Sequence, residues 1–372
     1  MEQSAYKACL QDTINEASTK TYCSNMLKSL EQSGLIHYEE HLLAEQEQSV
    51  DLTEFKTESE VVQLCKAIDR SDKVIRAIEE NEFTSAYKYS ALFEIDRSPE
   101  DLIESMYKKG EIQDFHSESF TFDLLFDETS NIIVPTRYKV DDKVTIYKFN
   151  RHLTGFLPIE GNNKREIKYP ILAVFVNDLN VVEIRIGKIK SFLRGDEYFY
   201  VRQFDFVVDW LQTNLACQLN PIDLTTAIEH ISKLEETNVI VSGQLMNLRS
   251  GAKAKLEVGN NDDYLPLLGE LKELIKTNAE LFNNSPEIKE ILDTFILETE
   301  ETSDLPWISL TWTNETKSKA TKVKFSFNYM NRQYSLLQYY YSSSTEMERM
   351  NNVTRYIIES KKQVDQQLQT NG

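Results

Sequence analysis

Glycine and proline are scarce in this sequence, 11 and 8 of 372 residues, which excludes collagen-like repeats and flexible low-complexity linkers as organising features. Cysteine is scarcer still. Cys9, Cys23, Cys65 and Cys217 have no regular spacing, so they do not form a disulfide framework. They read as reduced, mostly buried residues and predict a cytoplasmic protein. No apolar run approaches the roughly 18 to 20 residues that a membrane span needs. The opening stretch, MEQSAYKACLQD, lacks a basic region followed by an apolar one, so no secretory signal is expected. There is no G-x-x-x-x-G-K-[ST] phosphate loop, no G-x-G-x-x-G turn, no G-x-S-x-G elbow and no C-x-x-C pair. A P-loop or typical Rossmann nucleotide site, an elbow-type hydrolase and a zinc finger are therefore disfavoured.

Positive charge is also in deficit. Sixty acidic residues face 41 lysines and arginines, for a net charge of −19, and the imbalance is uneven. Residues 1–130 carry 28 acids and 12 bases, residues 131–210 carry 10 and 13, and residues 211–372 carry 22 and 16. An acidic head of this kind either keeps helices solvated or offers a surface to a basic partner.

The remaining composition, 41% apolar with 10% aromatic, is that of a folding globular chain long enough for more than one core. Residues 1–82 read as helical. Val61, Val62, Leu64, Cys65 and Ile68 make an apolar stripe that Val74, Ile75 and Ile78 continue, and Gly34 suits a helix C-cap. Ser98-Pro99-Glu100-Asp101 predicts a helix start, with the end near Gly110. Strand-like segments follow at 119–126, 132–138, 143–149, 168–177 and 181–186, and the aromatic stretch 198–212 is expected to complete that unit. Helical faces recur at Leu224–Leu234, at Leu268–Phe282 and from Ile288 to Phe295, with an exposed loop expected over 250–263. Two alternating strands, Ile308–Thr313 and Lys322–Tyr329, precede a final helix that Ser343 and Glu346 cap. The predicted class is α+β. The predicted division is an acidic helical unit over 1–115, a β-rich central unit over 116–212, and an α+β unit over 213–372.

Three patterns carry candidate chemistry. His37-Tyr38-Glu39-Glu40-His41 is an H-x-x-E-H pattern. On one helix His37 and His41 would share a face and hold Zn²⁺, with Glu40 activating the bound water. Over residues 34–43 the chain resembles the pitrilysin-type metallopeptidases. That resemblance implies a zinc hydrolase with a third, acidic ligand downstream, for which Glu118 stands at a suitable separation. Second, Asp178 with Glu183-Ile184-Arg185 is similar to the acid and acid-x-lysine arrangement of restriction-type nucleases, which hold Mg²⁺. Arg185 would replace the lysine and could serve only as an electrostatic stabiliser. The alternative is a solvent-facing Glu and Arg on a hairpin. Third, Arg185, Lys188, Lys190, Arg194 and Arg202 interleave with Phe192, Tyr198, Phe199 and Tyr200. Lys317, Lys319, Lys322 and Lys324 form a second such cluster near Tyr339–Tyr341. Bases on phosphates and rings under exposed nucleobases are the chemistry of nucleic-acid contact.

The expected function is a non-catalytic or accessory subunit of a bacterial-type assembly, in a restriction or phage-defence setting. It would contact protein or nucleic acid and no membrane. The alternative is a divergent Mg²⁺-dependent nuclease or a Zn²⁺-dependent hydrolase.

Overall fold

A computed structural model describes residues 3–38, 49–96, 100–122, 134–157, 164–234, 238–249, 251–259, 265, 267–301, 303–313, 320–340 and 347–371. The fold is α+β, as expected. It divides into two compact units, one of residues 1–87 with 94–219 and one of residues 88–93 with 220–372. Among the described residues no helix is long and apolar enough to cross a membrane.

The first unit opens with helices α1 (Gln3–Ala17) and α2 (Lys20–Gln32). Thr19 caps α2 by accepting from the Tyr22 amide at 3.1 Å, and Gly34 ends it with φ of 70°. The helical reading of 1–82 then fails locally. Ile36–His37 (β1) pairs in parallel with Val50–Asp51 (β2) before α3 (Glu60–Arg70) and α4 (Asp72–Thr84) resume. The α1–α4 helices bury Leu10, Leu27, Leu64, Ile68 and Ile75 in one cluster. The chain continues through β3 (Tyr89–Ile95), α5 (Glu100–Lys109) and β4 (Gln113–Asp114). As expected, α5 stops at Gly110, which has φ of 74°.

Next come β5 (Thr136–Lys139), β6 (Val144–Phe156), β7 (Lys164–Val176) and β8 (Val181–Ile186), ordered β8-β7-β6-β5-β4 in the sheet. The long β6–β7 pair runs antiparallel from Val144↔Val176 to Phe156↔Lys164. Residues 199–215 then form helix α6 (Phe199–Leu215), not a further strand. The stretch was expected to complete the strand-rich unit and does lie with it, as a helix whose Val201, Phe204, Val207, Leu211 and Leu215 recur at three to four residues and are all buried. Phe206 and Trp210 of α6 meet Phe149 of β6 edge-on at 6.1 and 5.1 Å. The strands and the helices 1–84 belong to one compact unit, so position 115 is not a unit edge. Helix α1 reaches β7 directly: Thr13 Oγ1 accepts from the Lys168 amide at 2.8 Å, and Glu16 pairs with Arg165 at 2.9 Å.

Gly155 on β6 is fixed by space. A Cβ there would lie 2.5 Å from the Phe192 carbonyl oxygen, whereas one at Gly187 would meet nothing closer than 3.9 Å. Gly155→Ala is expected to cost about 1 to 3 kcal/mol in urea unfolding. Gly187→Ala should stay within about 0.5 kcal/mol of the parent.

The second unit holds β3 residues up to Phe93, most of β9 (Leu219–Pro221) and α7 (Thr225–Ser232). It continues with β10 (Val239–Asn247), β11 (Lys253–Glu257), α8 (Leu268–Thr277), α9 (Ala279–Asn283) and α10 (Pro286–Glu301). β12 (Asp304–Thr313), β13 (Ala320–Ser326), β14 (Leu336–Tyr340) and α11 (Met347–Asn371) complete it. Its sheet is ordered β11-β10-β12-β13-β14-β3 and is antiparallel throughout. The hairpin β10–β11 occupies residues expected to be helix and loop. Register shifts of β10 against β12 at Val241/Gly243 and Leu245/Asn247 break the alternation of β10 and hide it from a period-two reading. On the buried face lie Ile308, Leu310, Val323, Phe325 and Leu337, and Tyr356 of α11 meets Trp312 there.

Candidate functional site

The zinc reading required His37 and His41 on one helix. His37 lies instead on β1, 7% exposed, with Nδ1 3.0 Å from Ser49 Oγ and Nε2 3.9 Å from Asp51 Oδ1. The helical face therefore does not exist at His37, and this is a correction. Glu40 and His41 lie outside the described residues. Glu118 sits in an exposed turn. Among the described residues no group of three or more His, Cys, Asp or Glu is placed to hold a metal ion.

The nuclease reading fares differently. Asp178 stands exposed in the 3-10 turn between β7 and β8. Glu183 and Arg185 are both 0% exposed in the middle of β8, and their side chains pair at 2.5 Å. The hairpin is present, but its Glu and Arg face the interior and not solvent. Burial withdraws Arg185 from any nucleic-acid surface, a second correction. The physical reason is that β8 is covered on both faces, so alternation carries no outward side.

The central basic strip does not form a platform either. Lys188 and Lys190 are exposed, but Phe199 and Tyr200 are buried. Arg202 holds both oxygens of Asp196 at 2.8 and 2.9 Å, and Arg194 leans over Tyr200. The second cluster is different. Lys322 and Lys324 lie on a partly exposed strand face beside aromatic rings. Lys317, Lys319 and Tyr341 fall outside the described residues.

Two features were not anticipated. The first is a buried ionic cluster in the first unit. Glu79 and Glu82, three apart on α4, face the sheet together. Lys148 Nζ reaches Glu79 Oε2 at 2.6 Å, the Glu79 carbonyl at 2.9 Å and Glu82 Oε2 at 2.9 Å. Lys168 Nζ contacts Glu79, Glu82 at 2.7 Å and the Tyr6 hydroxyl at 3.3 Å, and Tyr6 donates to Glu79. Each ammonium thus has three acceptors, and two positive charges balance two negative ones. Register places Lys148, Lys168, Glu183 and Arg185 on the same face of the sheet, since Leu172 stands opposite both Lys148 and Arg185.

The electrostatics follow from this geometry. Burial alone would raise the pKa of Glu79, but Lys148 and Lys168 outweigh it and hold the carboxyl at about 2. For Lys168, burial opposes the charge, and Glu79 and Glu82 more than restore it, so its pKa is raised. Burial, then Glu79 and Glu82, push the Tyr6 phenol well above its usual value. A general acid or base needs a pKa moved toward neutrality. Glu79 and Lys168 move away from it, so the cluster acts as an ionic lock between α4, β6 and β7.

A pH dependence follows. The depressed pKa of Glu79 contributes stability above the unfolded Glu value of about 4.3, and that contribution is lost as pH falls toward about 2. The raised pKa of Lys168 contributes below the unfolded Lys value of about 10.4, and is lost only as pH rises through its higher folded value. Urea midpoints measured against pH should therefore be lower at pH ~2 than at pH ~5. Removing the Glu79 carboxylate should flatten that acid limb.

The second feature is the helical run α8–α10. Leu274, Leu281, Ile288, Ile291, Phe295 and Leu297 are each more than half exposed. With Leu267, residues 267–297 supply seven of the sixteen large apolar side chains exposed among the described residues. Among the described side chains of this run only Ile275 and Ile296 are buried. Ile288, Ile291 and Phe295 lie on one face of α10 at helical spacing. An open groove of about 360 Å³ lies on the other side of α10, lined by Phe282, Pro286, Lys289, Glu290, Asp293 and Leu297. Residues 268–301 carry nine acids and three lysines. The sequence signal was visible as an apolar stripe, but a stripe alone does not say whether it is covered.

Comparison with protein-family models, with curated proteins and with solved structures found no match.

Proposed function

We propose that this chain is a non-catalytic subunit that docks another protein on α8–α10. The observation that carries the proposal is the concentration of exposed apolar side chains on that run. Apolar surface of this extent on a folded domain marks a place where water is meant to be displaced. Covering each of the six side chains would contribute roughly 1 to 2 kcal/mol before the costs of association. The rim sets the partner's chemistry. Glu287 and Glu298 flank Ile288, Ile291 and Phe295 along α10, and residues 268–301 carry nine acids against three lysines, so the fitting partner presents apolar anchors within a basic margin. A second copy of this chain would bring the same acids face to face and is disfavoured by repulsion. The buried cluster supports the same reading, because its charges are spent on one another.

Placing a photo-crosslinking residue at Ile291 tests the proposal in the cell. The expected result is one discrete adduct with a different protein, which then binds the purified chain directly. An adduct only with a second copy, or none while a distant exposed position such as Leu368 gives one, would overturn it.

A further inference from the structure

The second unit also carries a basic face within an acidic chain. Register places Lys253 and Lys255 of β11, Trp307 of β12, Lys322 and Lys324 of β13, and Tyr340 of β14 on one side of the sheet. The other side is the apolar core. Lys324 Nζ lies 4.1 Å from the centre of the Trp307 ring. Lys88 and Lys322 lie 3.9 and 6.0 Å from that of Tyr340. The acids that register brings to this side are Glu257, which pairs with Lys255 at 3.1 Å, and Asp304 at the strand end. Four lysines by register, with Lys88 added by its contact with the Tyr340 ring, outnumber these two acids. Burial and then the neighbouring Lys255 lower the pKa of Lys324, the mark of a crowded cation.

We propose that this face binds single-stranded nucleic acid, with the lysines on phosphates and Trp307 and Tyr340 under unpaired bases. The ligand must be anionic at regular intervals and must carry flat rings that can replace the ammonium groups over Trp307 and Tyr340. Two strand spacings and four residues of register separate those rings by roughly 16 Å, which suits successive stacking sites along one extended strand. A duplex hides its base faces and would leave both rings idle. The site is separate from the α8–α10 run, and the two can fail independently.

Fluorescence anisotropy of labelled oligo(dT) and oligo(rU) on the full chain tests this, with a duplex of equal length as a third arm. The expected result is binding of one or both single strands that weakens steeply from about 50 to about 200 mM salt. Lys322→Glu with Lys324→Glu should weaken it at least about tenfold. Tyr340→Ala should weaken it by roughly 5- to 150-fold, the range for loss of one stacked base. Lys188→Glu with Lys190→Glu should leave it unchanged. If the charge reversal unfolds the chain, Lys324→Gln and Tyr340→Ala take its place, because Tyr340 is already solvent-exposed. Preference between the two single strands identifies the sugar that is read. Absence of binding to either, tighter binding to the duplex, or affinity indifferent to Lys324 and Tyr340 would overturn the proposal.

Discussion

Glu79→Gln is expected to lower the unfolding free energy of the first unit by about 3 to 5 kcal/mol. Two ammonium groups depend on that carboxylate. Lys148 is held by Glu79 Oε2 and by the Glu79 carbonyl, and Lys168 by Oε1. Both lysine side chains are at most 1% exposed, and that of Glu79 is 0% exposed. The amide removes a full negative charge and leaves Glu82 to balance two buried cations. The intact cluster need not be a large net contributor, because desolvating four charged groups consumes most of what their attraction supplies. It is the uncompensated state that is costly. A matched change should therefore be milder. Glu79→Gln combined with Lys148→Met is expected to cost less than the sum of the two single changes, by about 0.5 to 3 kcal/mol. Urea unfolding of the four proteins checks this. Additivity within about 0.5 kcal/mol would mean that the cluster does not act as a unit.

Ile291→Glu with Phe295→Glu is expected to weaken the complex with the docked protein at least about 100-fold, roughly 2.8 kcal/mol, while leaving the chain's own stability within about 0.5 kcal/mol. The two halves of this expectation come from one fact. Both side chains are more than half exposed, so the fold does not rely on them, and an interface that covers them does. The added carboxylates lie where the partner's apolar anchors would sit, so they leave buried charge unpaired. Ile296→Glu is the contrasting variant, because Ile296 is buried. It should damage the fold as well as binding.

Much of the architecture was legible in the sequence. The β7–β8 hairpin announced itself through the apolar run from Tyr169 to Val176 and the turn at Asn177–Asn180. The helix from Ile288 to Phe295, the strands at 308–313 and 322–326, and the final helix all showed clear periods. The stretch 198–212 was assigned to the strand-rich unit without a secondary structure, and the buried stripe at Phe204, Val207 and Leu211 shows the helical spacing that it carried. Strand β10 was missed because bulges in its pairing with β12 interrupt its alternation. The largest misreading concerns charge. Lys148, Lys168, Glu183 and Arg185 look like the outward positions of ordinary strands. Nothing local tells that Glu79 and Glu82 arrive from a helix sixty and more residues upstream to neutralise the two lysines. The same blindness made Arg185 a surface candidate. Lys322 and Lys324, by contrast, were legible as a basic pair beside aromatics, because β13 does have an open side.

Hydrogen exchange of the chain, alone and bound to the protein captured at Ile291, tests the central claim most directly. In the complex, amides of 268–301 should exchange markedly more slowly, while those of β6 and β7 stay as they were. Unchanged exchange across 268–301, with new protection on another surface, would place the contact elsewhere and contradict it.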